Sequence, residues 1–336
     1  MPFCDLLGNR AIVETIRGQL AEGRLPQSLL FCGIRGIGKW TLAQGIAKAL
    51  NGSHKDNDFC DACATCRRIS EGVHPDVRNI VPEEQFIVID QIREASREIF
   101  FRPFEGRRRV LIIDQAERMN APAANSFLKT LEEPPETSII ILVTSRPNDL
   151  LPTIRSRCQI YRFGPLPADE LEQLLERRSY LPEERRLLAR IAAGSLGRAV
   201  TIDLAEYMRH RQEMLALLEA CSRNFLYAHS AQAAAPWLDK RNKADFEEKL
   251  GILFTLVRDL FLLRLDSGSE SIAHVDLRSR MCSLASRLSI EQLSSAARAL
   301  DHIESGARRN LNRGLAVDAL LLQLGGSGAS ARSRDT

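Results

Sequence analysis

The sequence predicts an α/β fold: a parallel sheet with helices on both faces and a phosphate-binding loop, followed by a wholly helical second half. Three stretches carry that expectation. In 28–51, SLLFCGIRGIGKWTLAQGIAKALN, an apolar strand passes through a glycine-rich turn into a helix. In 110–114, VLIID, four buried-type residues end in a carboxylate. Beyond about residue 165 no strand pattern recurs, and helical periodicity takes over.

Taken in order, residues 1–24 carry helical spacing at Ile12, Val13, Ile16 and Leu20, closing near Gly23. The strand, loop and helix of 28–51 follow. A cysteine-rich segment occupies 52–68. An apolar run at 86–89 leads into a helix through Ile92, Ala95 and Ile99, with Asp90 as its expected N-cap. After strand 110–114 comes a helix from Ala123 to Glu133, closed by Pro134 and Pro135, and then a buried strand, Ile139 to Val143. Residues 149–158 read as a turn and short helix, and Ile160 to Phe163 as a further strand. Strands alternating with helices make a parallel sheet covered on both faces. The expected domains are 1–165 for the α/β part, 166–207 for a small helical lid and 208–324 for an all-α region. A polar tail, 325–336, is expected to be disordered.

The turn fits G-x-x-x-x-G-K through Gly33, Gly38 and Lys39, with Gly36 between them. Glycines let backbone N–H groups curl around phosphate oxygens, the helix adds its positive end, and the lysine reaches the outer phosphates. The next residue is ordinarily Ser or Thr, whose hydroxyl binds Mg²⁺. Here it is Trp40, with Thr41 one place late. Asp114, at the end of its strand, is the expected partner of Mg²⁺ and water. A base to polarise that water ordinarily follows, but position 115 is Gln, a neutral amide that accepts no proton. Glu117 is acidic but two places further on, and is expected to point elsewhere.

The 336 residues suffice for two or three domains, and 44% hydrophobic with 26% charged residues is ordinary for a globular protein. No run approaches a membrane span and MPFCDLLGNR holds no signal-peptide core, so the expectation is a cytoplasmic protein with no membrane partner. A formal net charge of +3 is too small to imply nucleic-acid binding by itself. The cluster Arg107, Arg108 and Arg109 reads first as a solvated end of an element. Of eight cysteines, most are scattered, which suits a reducing compartment. Cys60, Cys63 and Cys66 instead form C-x₂-C-x₂-C in a polar segment, the spacing of a structural zinc clip. Zinc wants a fourth ligand. His54 is the nearest candidate, with His74 and Asp61 behind it; free thiols in a degenerate remnant are the alternative.

Several stretches together resemble the δ′ family of bacterial DNA polymerase III clamp-loader subunits, AAA+ proteins related to γ/τ. They are LPQSLLFCGIRGIGKWTLA, the three cysteines followed by GVHPD (Gly72 to Asp76), NSFLKTLEEPPETSIIILVTSRP, TIRSRC and GSLGRA (Gly194 to Ala199). The resemblance covers nearly all of 1–205; after 208 only length and pattern match the family's helical collar. It implies ATP or ADP as ligand, with Gly33, Gly36, Gly38, Lys39, Thr41, Asp114, Thr144 and Arg198 around it. Thr144 takes the position that senses the γ-phosphate, and Arg198 that of a lid arginine on phosphate. Arg157 of Ser156-Arg157-Cys158 takes the position of an arginine finger reaching a neighbour's ATP site; an interface ion pair is the alternative. The family's fourth zinc cysteine would fall near Asn51-Gly52, where there is none. The resemblance also implies γ/τ and δ as ring partners, a sliding clamp, and primed DNA held through its phosphates. Trp40 and Gln115 remove groups that serve hydrolysis, whereas Lys39 and Asp114 remain. The expectation is therefore a ring member that turns over poorly or not at all and lends Arg157. An active γ/τ-type motor, with Thr41 and Glu117 as substitutes, is the competing expectation.

Overall fold

The computed structural model describes residues 3, 6, 8–52, 58–223, 243–306 and 313–325. They fall into two compact units, residues 1–180 with 192–200, and residues 181–191 with 201–336. The first unit is built on five parallel strands: β1 (Ser28–Cys32), β2 (Val77–Ile80), β3 (Arg109–Ile113), β4 (Ser138–Thr144) and β5 (Gln159–Arg162). Their order across the sheet is β2-β3-β4-β1-β5. In β1 and β4 every residue is buried. Side chains alternate between faces, as the pleat demands. Leu29, Phe31, Val110, Ile112, Ile139 and Ile141 enter one core with α1 (Arg10–Ala21), α2 (Lys39–Asn51) and α3 (Ala64–Ser70). Leu30, Cys32, Leu111, Ile113, Ile140 and Leu142 enter the other with α4 (Ile89–Glu98) and α5 (Ala121–Glu132). A short helix, α6 (Pro152–Arg155), precedes β5.

One local expectation is corrected, and one strand is added. Strand β2 was not legible, because in VRNI only Val77 and Ile80 are buried; an edge strand with a wet middle makes no apolar run. In the apolar run at 86–89, Ile87 makes an isolated bridge to Met119, and Phe86 is exposed. Asp90 is not the cap of α4. Val88 is, and its N–H donates to Gln91 Oε1 at 3.0 Å. Asp90 lies inside the first turn, where its charge still favours the positive helix end.

The segment 166–207 carries α7 (Ala168–Glu176), α8 (Pro182–Ile191) and α9 (Leu196–Thr201), of which α8 belongs to the second unit. That unit continues with α10 (Leu204–Arg223), α11 (Lys243–Leu265), α12 (Arg278–Ala285), α13 (Ile290–Gly306) and α14 (Arg313–Gly325). Its apolar interior includes Leu215, Leu218, Leu256, Leu260, Met281, Leu293 and Leu320. A buried polar chain crosses it. Tyr207 Oη lies 2.8 Å from His274 Nε2, and His274 Nδ1 lies 2.9 Å from Asp259 Oδ2. No described helix is long and apolar enough to cross a membrane. The tail 326–336 lies outside the described residues.

In the first unit, Asp76 ties the start of β2 to the loop before β3. Its carboxylate accepts from the N–H groups of Phe104, Glu105 and Gly106 at 2.7, 2.9 and 2.7 Å. Burial alone would raise this carboxyl, but the three donors and Arg109 outweigh it and hold it below the usual range. Asp76→Asn is expected to lower unfolding stability by about 2–3 kcal/mol in a urea titration. Because the native value is depressed, the wild-type contribution is complete above the unfolded value of about 3.9 and is lost as pH falls through the native one. The acid-side loss of stability should therefore be shallower in Asp76→Asn.

Candidate nucleotide site and cysteine cluster

In a parallel sheet, ligands sit beyond the carboxyl ends of the strands, and the sequence-predicted residues converge there. The loop after β1, Asp114 after β3, Thr144 ending β4 and Phe163 after β5 line a cavity of about 500 Å³. Lys39, Trp40, Thr41, Leu196 and Gly197 complete that wall. Gly38, with φ +99°, caps α2, and a Cβ there would meet nothing within 4 Å. The loop thus presents open backbone at the helix's positive end, as a phosphate cradle requires. Lys39 is 5% exposed, and its ammonium donates to Gly33 O and Ile34 O, both at 2.6 Å. Burial lowers its pKa, and Asp114 opposes that.

The loop is strapped from outside by GSLGRA. Ser195 Oγ donates to Arg35 O at 2.7 Å, and Gly197 N–H donates to Gly36 O at 2.8 Å. The backbones meet so closely that a Cβ on Gly197 would stand 2.7 Å from Gly36 Cα. Gly36, at φ +72°, would carry its own Cβ 2.5 Å from Ser195 Oγ. The motif singled out for Arg198 therefore acts here through Ser195 and Gly197. Arg198 itself is exposed, with its N–H held by Ser195 Oγ at 3.1 Å, and does not line the cavity.

Asp114 apart, the groups that would serve hydrolysis are replaced, displaced by a position or occupied. Trp40 is half-buried and packs on the core under α2. Thr41 is exposed, one helical step further round. Asp114 faces the cavity, and burial raises its carboxyl above the usual range. Gln115 stands at φ 50°, and its Oε1 accepts from Arg35 Nη2 at 3.0 Å. That left-handed residue turns the chain into a 3₁₀ segment, Ala116–Arg118, which drives Glu117 back against the end of β4. Glu117 accepts from Thr144 Oγ1 at 2.7 Å and from Ser145 Oγ at 2.8 Å. Burial opposes its ionisation, yet these hydrogen bonds prevail and hold its carboxyl below the usual range. Thr144 Oγ1 also accepts from Arg146 N–H at 3.0 Å. Composition and motif signalled neither the roles of Arg35 and Glu117 nor the strap, since each depends on how the turns fold back.

Arg157 lies exposed in the turn just past α6. Its Nη2 donates to Glu132 Oε1 at 2.6 Å and its Nη1 to Thr153 O at 2.9 Å. Glu132 belongs to the LEEPP stretch, so two sequence motifs meet in this pair.

The sulfurs of Cys60, Cys63 and Cys66 all lie within 4.8 Å of one another. Cys63 N–H donates to Cys60 Sγ at 3.3 Å and Cys66 N–H to Cys63 Sγ at 3.4 Å. Burial, with Cys63 beside it, pushes the Cys66 thiol up to about 11. Converging sulfurs that accept backbone N–H bonds suit a divalent cation, whose charge would release the thiol protons. His54 lies outside the described residues. Asp61 pairs with Lys48, and buried His74 accepts from Asp76 N–H through Nδ1 and faces Glu105 through Nε2. Neither of these second-choice ligands is turned to the sulfurs.

Two family models described as "DNA polymerase III, delta subunit" and its C-terminal part match residues 8–167 and 206–325. The chain belongs to the DNA polymerase III delta′ subunit family. It is 29% identical to subunit delta′ of Bacillus subtilis over 263 residues, 78% of this chain and 79% of that one. It is 28% identical to subunit delta′ of Escherichia coli over 320 residues, 93% and 92% of the two chains. Gamma and tau subunits match over shorter stretches: Escherichia coli tau is 32% identical over 60% of this chain, which spans only 32% of tau. A gamma-subunit-related protein of Thermotoga maritima of known structure aligns over 93% of this chain and 98% of its own, with 20% identity and a TM-score of 0.47.

For this delta′ family member, Gly197→Ala tests the strap. The added methyl has backbone as its neighbour, so the loop must move, and a loss of about 1–3 kcal/mol is expected by thermal or urea unfolding. Unchanged stability would mean that the contact is loose.

Proposed function

We propose that this chain acts as the δ′ subunit of a bacterial DNA polymerase III clamp loader. It would complete a hetero-oligomeric ring with γ/τ and δ subunits that places a sliding clamp on primed DNA in the cytoplasm. The observation that carries this reading is the mixed state of the nucleotide site. Gly33, Gly36, Gly38 and Lys39 keep a phosphate cradle, while Gln115 and Glu117, the nearest groups to a water-activating base, are a neutral amide and a fully engaged carboxylate. A nucleotide held there would meet Lys39 and the loop N–H groups at its phosphates, while the position after Asp114, which ordinarily supplies a base for water, holds the neutral amide of Gln115.

Arg157 is proposed as the arginine this chain lends to a neighbour. Its tie to Glu132 is an ion pair between partly exposed groups; such pairs contribute about 0–1 kcal/mol, so release toward a phosphate is cheap. In a complex reconstituted with γ/τ, δ, clamp and primed DNA, Arg157→Ala is expected to lower ATP turnover at the adjoining site by about 10³-fold or more. Turnover unchanged by that substitution would leave Arg157 as a surface ion-pair residue.

Zinc is proposed as the ion of the cysteine cluster, with His54 as fourth ligand, in a structural role that leaves no open position for chemistry. Elemental analysis of the purified chain should give about one zinc per chain. Cys63→Ser should lose it and melt at lower temperature. Wild-type protein purified free of zinc, with unchanged melting on adding it, would speak against the assignment.

A further inference from the structure

A phosphate loop of this kind ordinarily works with Mg²⁺, but the side chains around this one do not fit that ion. Mg²⁺ demands near-octahedral oxygen ligands at 2.0–2.1 Å and is usually held by one or two protein oxygens besides phosphate. Position 40, which supplies the first of these, holds an indole packed on the core. Thr144 Oγ1 donates to Glu117 and accepts from Arg146 N–H, and Ser145 Oγ donates to Glu117. Gln115 Oε1 is taken by Arg35. Thr41 contributes to the cavity wall but stands one residue past the usual place, about 100° further round the helix, and is exposed. Asp114 is the one carboxylate lining the cavity among the described residues, and the hydroxyl at position 40 that ordinarily shares the ion with it is missing.

Cationic groups occupy the same place. Lys39 and Arg35 both line the cavity, and Arg35 extends over the end of β3 to reach Gln115. The lining also includes the apolar side chains of Leu6, Val13, Val143, Phe163 and Leu166. We propose that this site binds a nucleoside di- or triphosphate without a divalent cation, with Lys39 and Arg35 balancing the phosphate charge that Mg²⁺ balances elsewhere. The inference rests on the nucleotide reading of the site and adds the chemical form of its ligand. It also accounts for the combination of a preserved cradle and a missing metal ligand. Trp40 costs a metal-dependent site its cation, but costs a site that uses two side-chain cations nothing.

The test is isothermal titration calorimetry of the full chain with ADP and with ATP, first in magnesium chloride and then in excess EDTA. Affinities that agree within about threefold across the two buffers are expected, and a larger loss in EDTA overturns the inference while leaving nucleotide binding in place. Absence of binding in both buffers overturns the nucleotide reading and the inference with it. Arg35→Ala should weaken binding by about tenfold in EDTA; undiminished affinity removes Arg35 from the account. Trp40→Thr restores a hydroxyl at the metal position, and its folding is checked by its melting curve. The folded variant should acquire magnesium-dependent affinity, and a folded variant indifferent to magnesium would show that position 40 does not set the metal requirement. The wild-type comparison decides the matter even where that variant fails to fold.

Discussion

Glu117 has no exposed side-chain surface, and its two carboxylate oxygens accept from Thr144 Oγ1 and Ser145 Oγ. A buried carboxylate is tolerable only when it is hydrogen-bonded, and here the bonds outweigh the desolvation that would otherwise neutralise it. The interaction pins the turn after β3 to the end of β4, the two strand ends between which a nucleotide's outer phosphate would lie. It also consumes the hydroxyl of Thr144 and the carboxylate that follows Asp114 in the chain. Removing the hydroxyl donors would leave the buried Glu117 carboxylate short of partners, so the lock is expensive to open.

A second constraint acts on the other side of the cavity. Gly36 and Gly197 touch backbone to backbone, and Ser195 caps the carbonyl of Arg35. The loop is therefore held by elements from three places in the chain: its own helix α2, the β3 turn through Arg35 and Gln115, and the segment before α9. A loop held so firmly suits a preorganised receptor, since little ordering remains to be done on binding. The proposed division of labour follows from this rigidity. In the proposed ring the site would keep its place, and Arg157, exposed just past α6, has only a partly exposed partner in Glu132.

Much of the fold was legible because the buried strands are long apolar runs, SLLFC, RVLII and SIIILVT, that only a sheet covered on both faces accommodates. β2 escaped because its middle is wet, and the cap of α4 because a valine with a glutamine three residues on replaces the usual side-chain cap. At the site, the glycines, Lys39, Trp40 and Asp114 announced themselves by type and spacing. Glu117 did not. Two residues past Asp114 it reads as pointing away, and only the left-handed turn at Gln115 brings it to Thr144. Arg198 was singled out by motif, whereas the contacts of that motif with the loop come from Ser195 and Gly197. Pairings set by tertiary closeness leave no periodic trace in a single sequence.

The proposed role requires a nucleotide cradle that does not turn over. Its most direct test is steady-state ATP hydrolysis by the purified full chain in magnesium, measured beside Lys39→Ala. Equal rates at background level are the predicted result. Turnover on the order of 1 s⁻¹ or faster that Lys39→Ala abolishes would contradict the account and make this chain a motor in its own right.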